Sequence, residues 1–126
     1  MHIISVPISV QVSKKKKFLL NLNQYRNAHH FTLNNAKVEF HNIVAPRLQH
    51  LPTFGQIRML FTLFAGSNHR RDTSNICCIV DKFFSDVLVS TGKIIDDNSD
   101  IVLETCYRYE SVDKNDPRVE VMIVPE

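Results

Sequence analysis

The chain has 126 residues, of which 44% are hydrophobic, 22% charged and only three glycine. Those values describe one ordinary globular domain with a single core and exclude a disordered, fibrous or two-domain chain. The formal net charge of +2 is too mild to identify a polyanionic partner, so the informative feature is clustering: Lys14, Lys15, Lys16 and Lys17 in one run, Arg70 and Arg71 in another.

Residues 2–12 are rich in β-branched side chains alternating with Ser and Gln, which predicts a strand closed by the four lysines. The following FLLNLNQYRNAHHFTLNNAK is dense in Asn and His, lacks a sustained apolar period, and reads as a long polar loop. From Asn34 or Asn35 as N-cap, Ala36, Phe40, Ile43, Val44, Leu48 and Leu51 recur at helical spacing. That helix has to end near Pro52, with Pro46 kinking or splitting it.

QIRMLFTLFA, residues 56–65, is an apolar run of strand length between Gly55 and Gly66 and reads as the central strand. After the loop GSNHRRDT, Thr73 or Ser74 caps a second helix whose apolar stripe is Ile76, Ile79, Val80, Phe83, Val87 and Leu88, ended by Gly92. Residues 100–109 and 118–124 give two more strands, joined by an Asp- and Pro-containing loop. The order β, loop, α, β, α, β, β predicts a small α+β domain with one mixed sheet and two main helices.

No run of about 18 apolar residues is present to span a bilayer, and the opening MHIISVPISV lacks the basic flank and cleavage site of a signal peptide. The expectation is a cytoplasmic protein with no membrane contact. Cys77, Cys78 and Cys106 are odd in number and have no C-x-x-C spacing, so buried free thiols are expected in place of a disulfide or zinc framework. The histidines show no metal-binding spacing, and there is no P-loop, G-x-G-x-x-G or nucleophile elbow, so no organic cofactor is expected.

The residues that carry chemistry lie around the second helix. At 100° per residue Asn75, Lys82 and Asp86 fall within about 40° of each other, opposite most of the apolar stripe. Arg71 and Asp72 stand at the N-terminal mouth of that helix, and the loop beyond its far end carries Asp96 and Asp97. Carboxylate oxygens are what hard divalent ions want, and Mg²⁺ takes one or two from a protein while keeping waters, so Asp72 with Asp97 would suffice. An arginine clamps phosphate in a bidentate fork, and a lysine steadies developing charge. The same residues also have plain readings: a helix cap at Asp72, a solvated turn at Asp96 and Asp97, a surface salt-bridge stripe along the helix, and solvated cations at 14–17 and 70–71.

Taken together, RRDTSN, DKFFSDVL, TG, IIDDNSDI and the closing RVEVMI resemble the core of the RusA-type Holliday junction resolvases of phages and prophages. That core runs strand, R-D-x-D-N, a helix bearing a lysine and then D-A-L, a glycine, and a D-D pair. NLNQYRNAH is similar to the Asn- and Tyr-Arg-containing segment after that family's first strand. The resemblance spans nearly the whole chain, with its specific part at residues 70–98.

It implies a RusA-like domain over residues 1–126, catalysis by Asp72, Lys82 and Asp97, and Mg²⁺, or Mn²⁺ in its place, at Asp72, Asp96 and Asp97. It further implies DNA contacts from Arg70, Arg71 and Asn75, with the lysines at 14–17 as the expected electrostatic footprint. Two departures stand out. Ser74 occupies the place of the second aspartate of D-x-D, and Lys82 follows Asn75 by seven residues where the family has three, an insertion of four that adds about one helical turn and keeps the lysine on its face. A water, or Asp81 or Asp86 reaching in, would complete the ion's shell. The expected function is a metal-dependent endonuclease cutting branched DNA in a bacterial host cell as a homodimer, since a junction offers paired scissile sites to a two-fold enzyme. The alternative is a RusA-like module that binds DNA or protein without cutting.

Overall fold

The structure is a computed structural model that describes residues 1–69 and 72–126. Among the described residues ten elements follow in order: β1 (His2–Pro7), β2 (Ser9–Ser13), β3 (Lys16–Leu19), α1 (Leu22–Asn27), α2 (His30–Val44), a 3-10 turn (Ala45–Leu48), β4 (Ile57–Ala65), α3 (Thr73–Ser90), β5 (Val102–Val112) and β6 (Arg118–Pro125). Strands β1, β6, β4 and β5 form one mixed sheet in that order, with β4 and β5 parallel and the other two pairs antiparallel. The domain is α+β, as the element order predicts, and β4 is an interior strand with a neighbour on each side.

Three expectations require correction. The first strand is two, because the chain bends at Ile8 and the second half leaves the main sheet to pair with β3 as a separate hairpin, making two sheets. The lysines at 14–17 form the tip of that hairpin and the start of its return strand. The long polar loop is mostly structure: β3, α1 and the first turns of α2 occupy it. Both helices in it start from side-chain caps, Asn21 Oδ1 accepting from Gln24 N and His29 Nδ1 from Phe31 N, so α2 begins five residues before the expected Asn34 or Asn35 cap region ends. Pro46 converts the end of α2 into the 3-10 turn, since it has no N–H to donate to a helical ladder.

The core is layered around α3. On β4, Ile57, Met59, Phe61 and Leu63 point inward at the strand period, joined by Val119, Val121 and Ile123 of β6. Phe84 of α3 meets Phe61 edge-on, with ring centroids 6.2 Å apart. Phe83, its neighbour, points the other way, stacked 6.2 Å from Phe18 of β3 and edge-on 5.6 Å from Phe40 of α2. Helix α3 is therefore covered on two sides, which is why its buried face, including Cys77, Phe84 and Ser85, is wider than a single stripe. Gly92, at φ 74°, ends it: the N–H of Gly92 bonds Val89 O and that of Lys93 bonds Leu88 O, satisfying last-turn carbonyls in a left-handed cap.

Of the cysteines, only Cys77 is buried; Cys78 is half-buried and Cys106 is exposed on β5. Burial pushes the Cys77 thiol up to about 12, so it stays protonated. No helix among the described residues is long and apolar enough to cross a membrane.

Candidate active site between α3 and β5

Asp81, Lys82 and Ser85 of α3, Asp97 and Ser99 of the following loop, and Thr105 of β5 line one open cleft of about 360 Å³. Parallel pairing of β5 with β4 sets it beside α3, and the helix brings a charged edge to the cleft because its apolar width is spent on Phe83 and Phe84. Asp81 is fixed from two sides: Ser85 Oγ donates to its Oδ1 at 3.0 Å, one helical turn on, and Tyr107 Oη donates to its Oδ2 at 2.8 Å from β5. Partial burial and this bond to a carboxylate hold the Tyr107 phenol well above the usual tyrosine range, so it remains a donor.

In the loop, Asp96 is occupied with local structure. Its Oδ1 accepts from Asp97 N at 2.8 Å and its Oδ2 from Asn98 Nδ2 at 3.1 Å, an arrangement that shapes the turn. Asp97 enters these bonds only through its backbone N–H, and it lines the cleft with Lys82. The structure thus brings together two of the three expected catalytic residues and adds Asp81 to them.

Asp72 is elsewhere. It is the N-cap of α3, in place of the expected Thr73 or Ser74, its Oδ1 accepting from Ser74 N at 3.0 Å and from Ser74 Oγ at 2.7 Å. It shares a different cleft with Asn75, Asn21 and Asn23, one that includes neither Lys82 nor Asp97. Helix α3 is unbroken from Thr73 to Ser90, so the ten residues from Asp72 to Lys82 amount to about 15 Å along its axis. The inserted turn keeps the lysine on the same face but moves it along the helix. Asp72 thus lines a different cleft from Asp81, Lys82 and Asp97.

Asn75 is exposed on the same side as Lys82, as the helical wheel requires, while Asp86 faces a third, mostly apolar groove against α2 with Val38 and His41. Lys16 and Lys17 line a cleft formed by the hairpin and α1 that also contains Asn23, which borders the Asp72 cleft as well. Arg70 and Arg71 lie outside the described residues. Asp81 was accessible to sequence reasoning only as a reserve ligand; its position one residue before Lys82 sets it about 100° round the helix, toward β5, and nothing in the strand pattern announces Tyr107 as its partner.

Among the described residues no group of three or more His, Cys, Asp or Glu side chains is gathered closely enough to hold a metal ion unaided. The α3–β5 cleft nonetheless offers only hard oxygen donors, Asp81, Asp97 and the hydroxyls of Ser99 and Thr105, which suits Mg²⁺ bound by two carboxylates and water and does not suit a transition metal wanting nitrogen or sulfur. No family model matches the chain, and no curated protein matches it.

Proposed function

We propose that the protein is a Mg²⁺-dependent endonuclease of branched DNA, of the kind the RusA resemblance implies, with its chemistry in the α3–β5 cleft. The observation that carries this reading is the meeting of Lys82 with Asp97 and Asp81 in one cleft, a lysine and two carboxylates drawn from two segments of the chain. Asp81 and Asp97 would hold the ion. Bound there, Mg²⁺ would supply a Lewis acid and lower the pKa of a water for attack on phosphorus.

The chain's own groups do the rest. Ser85 and Tyr107 keep the Asp81 carboxylate in one orientation, so little reorganisation is needed when charge develops. The Lys82 ammonium, exposed on the rim, meets a non-bridging phosphate oxygen and offsets the negative charge of the pentacoordinate transition state. The lysine hairpin supplies affinity without sequence selection. A homodimer would present two such clefts to the two scissile strands of a junction.

One observation favours the second reading, a module that binds without cutting. Where the resemblance expects two metal-binding aspartates, Ser74 donates its hydroxyl to Asp72 and the pair serves as a helix cap. Incubating the protein with a synthetic four-way junction in Mg²⁺ and in EDTA separates the two: cleavage confined to Mg²⁺ supports the enzyme, and retained binding with no product in Mg²⁺ supports the module.

A further inference from the structure

The first 38 residues contain Lys14, Lys15, Lys16, Lys17, Arg26 and Lys37 and not one Asp or Glu, whereas the rest of the chain holds all 13 acidic residues. In the fold this acid-free stretch supplies β1, the β2–β3 hairpin, α1 and the start of α2. The hairpin and the two helices enclose an open cleft of about 260 Å³ lined by Lys16, Lys17, Asn23, Gln24, Asn27 and Thr32. Every polar group there is a cation, an amide or a hydroxyl, a set that attracts and hydrogen-bonds an anionic chain and repels none of it.

Beside it stand three aromatic rings in succession. His29 and His30 are 4.3 Å apart between centroids, and His30 and Phe31 4.2 Å. Ala28 and Thr32, the residues flanking these rings, both line the cleft. Phe31 is 68% exposed, although a phenyl ring in water is costly and α2 has a buried face available through Ala36 and Phe40. The His29 ring accepts from the Phe31 N–H across the helix start and lies within 5.2 Å of the Phe31 ring, so the three rings form one cluster. The first turn of α2 contains no acidic side chain to oppose an approaching phosphate.

We propose that His29, His30 and Phe31, with Lys16 and Lys17, form a binding surface for single-stranded DNA, in which unpaired bases stack on the exposed Phe31 end of the ring group and the backbone phosphates follow the lysine-lined cleft. Flat aromatic faces beside a cationic groove are what an unpaired strand requires, because every base has a π-face and every nucleotide one phosphate. Duplex DNA, whose bases are already stacked on each other, gains the phosphate contacts but not the ring contact. The surface goes beyond the cleavage chemistry and concerns the unpaired part of a branched substrate; it neither uses Asp81, Lys82 or Asp97 nor depends on them.

The test is fluorescence anisotropy in EDTA with a labelled oligo(dT) about 15 nucleotides long, a span within the range of single-strand binding sites, and with a duplex of the same length. Phe31→Ala is expected to weaken oligo(dT) binding about tenfold and to leave duplex binding within about twofold, with Phe31→Trp restoring the single-strand affinity. Changing Lys16 and Lys17 to Ala should weaken both ligands and lower the log-log salt slope for oligo(dT) by about 0.7 per lost contact. Unchanged oligo(dT) affinity in Phe31→Ala, or equal losses for single strand and duplex, overturns the proposal. Cleavage of a junction by Phe31→Ala in Mg²⁺, measured alongside, keeps a failure here distinct from a failure of the endonuclease reading.

Discussion

The hairpin and α1 layer and the α3–β5 cleft differ in charge, in chemistry and in how they are held. The first carries cations, amides and exposed rings and no acid; the second places two carboxylates around one lysine. A polyanion is attracted to the first without any metal ion, while the second repels it unless a divalent ion intervenes. On the proposed function, separating them would let affinity and chemistry be set by different residues, and the two are joined mechanically at Phe83, packed between Phe18 and Phe40, with Phe84 beside it on the sheet.

That joint gives the largest expected effect. Phe83→Ala should cost about 3–5 kcal/mol of stability, because a buried ring touching both sides leaves a cavity that neither can fill. Urea unfolding measures it, and a loss under about 1 kcal/mol would mean that the layers do not depend on each other through this ring.

Lys82→Ala separates the regions by function. Single-turnover cleavage at saturating enzyme should slow on the order of 100-fold, the usual cost of losing one preorganised group at developing charge, while gel-shift affinity for the same junction hardly changes. A parallel loss of affinity would make Lys82 a phosphate contact like those of the hairpin. The converse substitution, Lys14, Lys15, Lys16 and Lys17 all to Ala, should weaken junction binding and flatten its salt dependence by about 0.9 in log-log slope per lost phosphate contact, with the rate at saturation retained. An unchanged slope would return the hairpin tip to solvated surface.

The smallest effect is expected at Tyr107. Tyr107→Phe removes one bond to Asp81 and should cost about 1 kcal/mol or less of stability. Because the phenol is held above its ordinary value of 10.0 in the folded protein, its contribution is present below that pH and is lost as pH rises through the folded value. Absorbance titration of the phenolates should show a late-ionising component that the Phe variant lacks; a wild-type curve without one would mean that the Asp81 bond does not persist in solution.

The two regions also differ in how far the sequence reveals them. Lys82, Asp97 and the cap at Gly92 sit on a long helix and its exit turn, where a regular period fixes which face each residue takes, so the side of the site was legible. What a wheel omits is rise: it put Asn75 and Lys82 on one face but gave no sense of the distance along the axis that leaves Asn75, with Asp72, in another cleft. The N-terminal layer was hidden for a different reason. Short α1 buries no residue completely, its apolar side is only Leu22 and Tyr25, half-buried against the core, and the Asn21 and Gln24 side chains that bond to the backbone resemble loop composition in sequence. The split of the first strand at Ile8 was likewise invisible, since both halves have strand composition and only tertiary pairing with β6 or β3 distinguishes them.

The central claim is that chemistry belongs to the α3–β5 cleft and not to the N-terminus of α3, and cleavage of a four-way junction by Asp97→Asn, Asp81→Asn and Asp72→Asn in Mg²⁺ tests it most directly. Each variant is paired with the junction affinity in EDTA. Asp97→Asn and Asp81→Asn are expected to lose cleavage while keeping affinity, since each removes a carboxylate charge without changing size, and Asp72→Asn, which retains a capping side chain, is expected to cut at close to the wild-type rate. Wild-type turnover in Asp97→Asn and Asp81→Asn, with activity abolished in Asp72→Asn, would contradict the account.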